Sequence, residues 1–300
     1  MSEFHEPVLL AKSLDGLNVK AKGTYVDVTF GGGGHSRAIL NSLLGGLLIS
    51  FDQDDEAIKN KIIDDNRFIM VNQNFRYLRE QLKRLNIYRI DGLIADLGVS
   101  SYHFTDNGRG FSLKYDAPVD MRMDQKLETN GAHILNNYSA NHLMRIFKEH
   151  SDFNAPQPIV NLIIKFREQR PINTIFDFKK IFQGFVSDRH QNKFFARLFQ
   201  AVRIEVNDEI NALKELLAQS LELLKPSGRL VIISYHSIED KIVKRFMRFG
   251  NFSGVPKKDF FGNHSQPFKI ITKKPIVPSR EEVQLNNKSR SAKLRIAEKL

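Results

Sequence analysis

The sequence predicts an α/β protein that has a mainly parallel sheet and an inserted helical segment. Short β-branched runs alternate with helix-like stretches through the first hundred residues, a pattern typical of a parallel sheet. The strand that ends at Asp96 is then separated from the next convincing strand, at Arg229, by 133 residues. Because short loops and one crossover helix cannot fill that gap, the chain must contain an insertion.

We predict the strands of the core where apolar, β-branched runs end at turn residues. A glycine turn at 31–34 separates the first strand from a helix at about 35–44, and an amphipathic helix over 206–224 precedes the strand at Arg229. A further helix is expected over 238–249. In chain order the expected strands are 24–30, 47–51, 68–71, 92–95 and 229–234, followed by an antiparallel pair at 268–272 and 292–297.

The segment between about 106 and 200 carries apolar residues at helical spacing. One such stripe covers 159–166, and a second covers 175–185 after the capping pair Thr174 and Asp177. We expect the phenylalanines of both stripes, Phe185 included, to lie in a core. The predicted organisation is a discontinuous core domain, residues 1–105 and 201–300, with a helical insertion domain at 106–200.

Composition excludes several classes of protein. The chain has no cysteine, so disulfide frameworks, thiolate zinc sites and cysteine nucleophiles are excluded. No apolar stretch is long enough to span a membrane, and the charged first ten residues do not resemble a signal peptide. We therefore expect a cytoplasmic protein.

The net charge of +11 comes entirely from the last sixty residues. Residues 241–300 contain 15 basic and 4 acidic groups, whereas residues 1–240 contain 30 of each. This surplus favours a polyanionic partner, with nucleic acid ahead of an anionic membrane surface. The aromatic residues that lie among these charges are Phe246, Phe249, Phe252, Phe260 and Phe261.

A nucleoside-binding site is predicted where the first strand meets the glycine turn. Glycines allow a ligand to approach the backbone closely, and the following helix offers N–H donors. Asp52 ends the second strand 21 residues after Gly31, the spacing at which a carboxylate binds ribose hydroxyls. Ser36 stands where a dinucleotide motif has Gly or Ala. The run LKPSGRL at 224–230 resembles an element of S-adenosylmethionine-dependent methyltransferases, whose fourth strand also ends with an acid, as at Asp96. This resemblance favours S-adenosylmethionine over NAD.

Other candidate sites are weaker. The acids between Asp52 and Glu56 do not match a calcium loop and are expected to begin a helix, and the sequence shows no ligand set for a metal. His236 follows a strand, where a structural and a functional role are equally open.

Eight runs of the sequence match a known family in order and from end to end. The chain resembles the bacterial 16S ribosomal RNA cytosine-N4 methyltransferase family (small-subunit methyltransferase H). The runs are HEPVLL (5–10), GGGGHS (31–36), DLGVSS (96–101), RGFS (109–112), DMRMD (120–124), FQAVRIEVN (199–207), YHSIEDK (235–241) and SRSAKLR (289–295).

The resemblance implies a class I S-adenosylmethionine-dependent methyltransferase with a Rossmann-like sheet and a helical insertion. It also implies, as substrate, one cytidine in the decoding region of 16S ribosomal RNA, with the small ribosomal subunit as partner rather than DNA or a membrane. A homodimer is left open. The cofactor contacts that carry over are Gly33, Gly34, His35, Asp52, Phe75, Asp96 and His103.

Two positions depart from the family pattern. The family usually has glutamine where this chain has His103, and Gly-Glu-Glu where this chain has Ser151-Asp152-Phe153. Asp96 is the predicted catalytic residue: it, or a backbone carbonyl of the segment 97–100, would accept one N–H of the cytosine amine and orient the nitrogen lone pair. Lysines of the insertion, Lys179, Lys180 and Lys193, would add phosphate contacts to those of the basic segment.

From the residues alone, two alternatives stay open. A non-catalytic ribosomal RNA-binding or assembly factor would share the basic segment and the fold. An NAD-dependent oxidoreductase would share the glycine turn and Asp52.

Overall fold

The computed structural model describes residues 7–62, 64–99, 108–256 and 266–300. The chain divides into two compact units. One is formed by the segment up to Gly98 together with Asn211–Leu300, and the other by Val99–Ile210. The domain limits predicted from the sequence, 105 and 200, lie within about ten residues of these boundaries.

The first unit is built on a sheet whose seven strands lie in the described part of the chain. They are β1 Thr24–Asp27, β2 Leu47–Asp52, β3 Phe68–Asn72, β4 Ile90–Asp96, β5 Leu224–Ser234, β6 Phe268–Ile270 and β7 Lys293–Lys299. Their order is β3-β2-β1-β4-β5-β7-β6, with β1 to β5 parallel and β7 antiparallel to both β5 and β6. The class I methyltransferase fold with a late antiparallel pair is thereby confirmed.

Helices cover both faces of this sheet, so its strands are buried on each side. Successive residues point to opposite faces: Val26 and Ile49 belong to one core cluster, Tyr25 and Leu48 to the other. The helices that surround the sheet are Leu10–Leu17, Gly34–Asn41, Asp55–Ile58, Leu78–Arg84, Glu209–Leu223, Ser237–Phe249 and Arg280–Leu285.

The strand order reverses direction between β1 and β4, which places a crevice at the carboxyl ends of the central strands. Because β2, β1 and β4 are adjacent and parallel, their last residues meet at one edge. Those residues are Asp52, Asp27 and Asp96, and this edge is where a ligand of such a sheet binds.

The second unit is helical and has its own core. Phe178 and Phe182 are buried there as expected, and the capping pair Thr174 and Asp177 forms both of its predicted hydrogen bonds. The expectation for Phe185 is wrong: its side chain is 41% exposed, because the helix ends at Lys180. The helices are Gly131–Asn137, Ala140–Glu149, Gln157–Arg167, Ile175–Lys180 and Asp188–Asn207.

Two predicted boundaries are wrong. The helix expected over 206–224 is two helices, because Asp208 adopts a left-handed φ of 48° between Asn207 and Glu209. Strand β5 begins at Leu224 rather than Arg229: Ile90 pairs with Leu224 and Gly92 with Arg229, so the intervening residues form a bulge. In the described residues, no helix is long and apolar enough to cross a membrane.

Candidate active site at the carboxyl edge of the sheet

The glycine turn after β1 presents its backbone to open space. Gly33 has a φ of 76°, and a Cβ there would lie 2.5 Å from Arg37 Nη1 and 2.7 Å from Phe30 Cζ. At the neighbouring Gly32, which is exposed, a Cβ would meet nothing within 4 Å. The turn therefore needs glycine at position 33 for its conformation, while Gly32 leaves space for a ligand next to the main chain.

Gly34 and His35 have packing roles that the sequence did not reveal. A Cβ on Gly34 would overlap Pro7, so the N-terminal segment lies directly on the start of the helix. The buried His35 ring lies 3.2 Å through Nε2 from the Val8 carbonyl oxygen, and its Nδ1 lies 4.0 Å from Asp96 Oδ2. Burial lowers the pKa of His35, so the ring is neutral at neutral pH.

Asp52 joins the end of β2 to the glycine turn. Its Oδ2 accepts a hydrogen bond from the Gly31 N–H at 2.8 Å, and its Oδ1 accepts one from the Asp54 N–H at 2.9 Å. The side chain is half-buried, and these bonds fix the orientation of the carboxylate. A carboxylate has about four acceptor positions, so a pair of vicinal hydroxyls can be bound in addition.

Phe75 follows β3 in a short turn next to the Asp52 loop. The preceding Asn74 donates through Nδ2 to Gln53 Oε1 at 2.6 Å, which ties the Phe75 turn to the residue after Asp52. The Phe75 ring is half-buried against the core of the first unit. Its position suits an apolar contact with a flat heterocycle.

Asp96 ends β4, and its partly exposed carboxyl group has a raised pKa. Its backbone N–H donates to Thr29 Oγ1 at 2.7 Å, and its Oδ1 accepts a hydrogen bond from the Tyr235 hydroxyl at 2.8 Å. Burial raises the pKa of Asp96 to about 6, and the charges of Asp27 and Glu239 add to this, whereas His35 and Tyr235 oppose it. The side chain still exposes 23% of its surface to solvent.

Asp27, which the sequence analysis did not select, is the buried centre of the turn. Its Oδ2 accepts a hydrogen bond from Ser36 Oγ at 2.6 Å and its Oδ1 accepts one from the Thr29 N–H at 3.1 Å. Burial raises the pKa of this carboxyl, and its hydrogen bonds oppose the shift. The sequence carried a signal for it, because Asp27 ends β1 in the same way as Asp52 and Asp96 end their strands.

Tyr235 was likewise missed as a site residue. It directly follows β5, the neighbour of β4, and its backbone N–H donates to Glu239 Oε2 at 3.0 Å. His236 caps the Ser237–Phe249 helix, its Nδ1 accepting from the Glu239 N–H at 3.4 Å, so its ring has a structural role. The buried Glu239 thus helps to fix the residue whose hydroxyl contacts Asp96.

Two of the aromatic residues that lie among the basic charges in the sequence are packed in the fold instead of exposed beside those charges. Phe246 is only 2% exposed, and Phe252 stacks on it at 5.0 Å, so both rings belong to packing. Arg295 is buried and pairs with Asp240 at 2.7 Å. Among the described residues of the segment, the exposed cations are Lys241, Lys244, Arg245, Arg248, Lys269, Lys273, Lys274, Arg280, Lys288 and Arg290.

The structure brings the glycine turn, Asp52, Phe75 and Asp96 to one edge of one sheet. His103, Phe260 and Phe261 lie outside the described residues. The arrangement offers glycine backbone beside open space, a fixed carboxylate for hydroxyls, an aromatic ring and a second carboxylate with an exposed side. A nucleoside-containing cofactor fits this donor and acceptor set.

The chain is similar to several known proteins. A family model described as the MraW methylase family matches residues 2–300. A protein of Flavobacterium johnsoniae named ribosomal RNA small subunit methyltransferase H is 48% identical over 299 residues, covering 99% of this chain and 98% of the relative. One of the same name from Amoebophilus asiaticus is 49% identical, covering 99% and 96%. A solved putative rRNA-methylase from Clostridium thermocellum is 14% identical with a TM-score of 0.44, covering 99% of this chain and 100% of that one.

Proposed function

Because the chain belongs to the MraW methylase family, we propose that it methylates the N4 amine of one cytidine in the decoding region of 16S ribosomal RNA. The observation that carries this proposal is the meeting of the glycine turn, Asp52 and Asp96 at one sheet edge. The names of the 48–49% identical relatives support the small ribosomal subunit as the source of the substrate. Membership of a methylase family argues against both alternative functions, the NAD-dependent oxidoreductase and the non-catalytic RNA-binding factor.

S-adenosylmethionine supplies an electrophilic methyl group on a sulfonium. The residues of this edge fit such a cofactor: Gly32 leaves space beside the main chain, and the Asp52 carboxylate would accept hydrogen bonds from ribose hydroxyls. Phe75 offers an apolar face for a purine ring. We assign Gly33 and Gly34 to the shape of the turn and His35 to the anchoring of the N-terminal segment.

Asp96 holds the acceptor amine in our proposal. Its exposed side can accept one N–H of the cytosine amine, and this turns the nitrogen lone pair toward the donor methyl. Displacement at a methyl group depends on alignment, and orienting two bound reactants can contribute roughly 7–11 kcal/mol. The methylated amine carries positive charge and loses its proton readily, so Asp96 acts by position rather than as a strong base.

The exposed cations of residues 241–300 contact the RNA backbone in this proposal. Reaching a base of structured RNA requires splaying it out, which costs a few kcal/mol. Phosphate contacts from residues such as Lys244 and Lys274 offset that cost. We assign catalysis to the sheet unit and substrate binding to the helical unit. The proposed partner is ribosomal RNA rather than DNA or a membrane, and the proposed location is the cytoplasm.

A labelled-methyl transfer assay tests the function. Purified protein, tritiated S-adenosylmethionine and small ribosomal subunits that lack the modification are incubated, and the RNA is digested to nucleosides. We expect the label in N4-methylcytidine from a single decoding-region fragment. Label in another nucleoside, or no label in wild-type reactions, would contradict the proposal.

The Asp96→Ala variant tests the assigned catalytic residue in the same assay. We expect methyl transfer to be abolished while S-adenosylmethionine still raises the melting temperature of the variant. Asp15→Ala, which removes an exposed acid outside the site, is the matched control and should retain wild-type turnover. Full turnover by Asp96→Ala would remove Asp96 from the mechanism.

Light scattering of the same preparations decides whether the protein is a homodimer.

A further inference from the structure

A cavity of about 270 Å³ opens on the helical unit. Three phenylalanines, two lysines and two glutamines line it, all from the segment between Phe176 and Phe195. This volume is just below the roughly 300–1,000 Å³ of pockets for drug-sized ligands, so it suits a single planar ring system. The cavity lies wholly within one unit.

Phe176 does not contribute to the core as its neighbour Phe178 does. Its side chain is 48% exposed, whereas Phe178 on the opposite side of the same short helix is fully buried. The helix is already anchored by the Thr174–Asp177 capping box and by the bond from the Phe176 N–H to Asp116 Oδ1 at 3.0 Å. The anchoring of this helix and the core therefore do not use the Phe176 ring, which instead borders the cavity beside Lys179 and Lys180.

Lys179 holds its ammonium group beside two rings of the cavity. Its Nζ lies 5.4 Å from the centroid of Phe176 and 5.8 Å from that of Phe195, and it donates to the Leu113 carbonyl oxygen at 3.3 Å. These contacts orient the cation at the cavity wall. An anion bound near Phe176 would meet a charge that is already positioned.

The charge of the cavity comes from its two lysines. In the described part of the chain, neither Lys179 nor the exposed Lys180 lies within salt-bridge distance of a carboxylate. Asp177 pairs with Arg170 at 3.0 Å, and Asp188 accepts from the amide of the cavity residue Gln191 at 2.7 Å, which leaves the Gln183 amide as the donor for a ligand. The cavity therefore combines an exposed ring, two lysine cations and a glutamine amide.

This combination matches the requirements of single-stranded RNA. Unstacked bases bind on aromatic side chains, amide groups can hydrogen-bond to base edges, and lysines neutralise the flanking phosphates. A protein partner would need acidic side chains placed opposite both lysines in addition to an apolar contact for Phe176, whereas each nucleotide of RNA supplies a base and a phosphate together.

We infer that this cavity binds one unstacked base of single-stranded RNA, with Phe176 as the stacking surface and Lys179 and Lys180 facing its phosphates. The inference rests on the proposed function, because it assigns the helical unit a contact to the same RNA. It adds a binding subsite that accepts an unstacked RNA base and not a stacked one, in addition to the sheet edge where the methyl group is transferred.

The test measures binding of a fluorescein-labelled, twelve-nucleotide single-stranded RNA to the full-length protein by anisotropy. We expect Phe176→Ala to weaken binding about 5- to 150-fold, the effect of losing one base–aromatic stack, and Phe176→Tyr to restore it. Lys180→Gln should lower the slope of log affinity against log salt by about 0.7. Tyr88→Ala, which removes a 62% exposed ring from the other unit, should bind as the wild type does.

The outcomes separate the inference from the proposed function. Wild-type binding by both Phe176→Ala and Lys180→Gln, with normal methyl transfer by the wild type, overturns the inference and leaves the function in place. Equal loss in Phe176→Ala and Phe176→Tyr excludes stacking and also overturns it. If Phe176→Ala slows transfer to intact subunits but binds the oligonucleotide normally, the cavity contacts a ribosomal protein instead. If wild-type protein transfers no methyl group to subunits, the proposed function fails whatever the oligonucleotide shows.

Discussion

The pH dependence of methyl transfer reports directly on Asp96. In the proposed mechanism, the ionised carboxylate accepts an N–H of the substrate amine more strongly than the protonated acid does, so kcat/KM should rise as the pH passes the pKa of Asp96. With that pKa raised by burial to about 6, Asp96 is ionised in about 9% of the enzyme at pH 5 and in about 91% at pH 7. A carboxyl at the ordinary pKa of about 3.8 would already be about 94% ionised at pH 5. The expected increase is therefore about tenfold rather than almost none.

Replacing Tyr235 with phenylalanine should move this midpoint upward. The Tyr235 hydroxyl donates to Asp96 Oδ1 at 2.8 Å, which favours the ionised form and lowers the pKa. A hydrogen bond to a charged group contributes about 1.5–3 kcal/mol, or about one to two pKa units. Water can replace part of it at the 23% exposed Asp96, so we expect a shift of about one unit. At pH 7, kcat/KM should then fall to about half and recover above pH 8.

The assay is the initial rate of tritium transfer to small subunits at low substrate concentration, from pH 5 to 8.5 at constant ionic strength. Tyr88→Phe, whose ring is 62% exposed, is the matched control and should follow the wild-type profile. Thermal unfolding of each variant checks the fold. A wild-type midpoint below pH 5, or a Tyr235→Phe midpoint equal to or below that of the wild type, would refute the reasoning.

Three substitutions test the sheet edge, and a salt titration tests the basic segment. Gly33→Ala should lower the free energy of unfolding in urea by at least about 1 kcal/mol, because it forces a φ of 76° on a residue with a Cβ. Gly32→Ala should leave stability unchanged and weaken cofactor binding. Asp52→Asn should weaken S-adenosylmethionine binding by roughly tenfold or more in calorimetry, since a charged acceptor of hydrogen bonds from the ribose hydroxyls is lost. RNA binding should fall steeply with salt, by about 0.7 in log–log slope per phosphate contacted, and a flat profile would exclude residues 241–300 as the RNA contact.

The strands and the position of the site could be predicted because they depend on local pattern. Apolar runs that end at Asp52 and Asp96 are visible in the sequence, and a parallel sheet must bring the carboxyl ends of neighbouring strands to one edge. The capping pair at Thr174 is equally local, since both partners lie within four residues.

The rest depends on tertiary contacts that no local pattern encodes. Asn207 ends its helix where its side chain bonds to the Met123 N–H and the Met121 carbonyl oxygen, about 85 residues away, and Asp208 takes the left-handed conformation that follows. The contact between Tyr235 and Asp96 spans 139 residues. Likewise, Phe246 is an aromatic neighbour of lysines in the sequence but a core residue in space.

The three carboxylates at the sheet edge differ in what holds them, and this difference assigns their roles. Asp27 is buried and hydrogen-bonded on both oxygens, so it stabilises the turn and cannot reach a ligand. Asp52 divides its oxygens between two backbone N–H groups and is half-buried, so it is a rigid acceptor at the rim. Asp96 is bonded through Oδ1, and within the described residues its Oδ2 has only the neutral His35 ring, at 4.0 Å, beside it. One oxygen is thus fixed by the protein, and in our proposal the other accepts an N–H of the substrate amine and orients it.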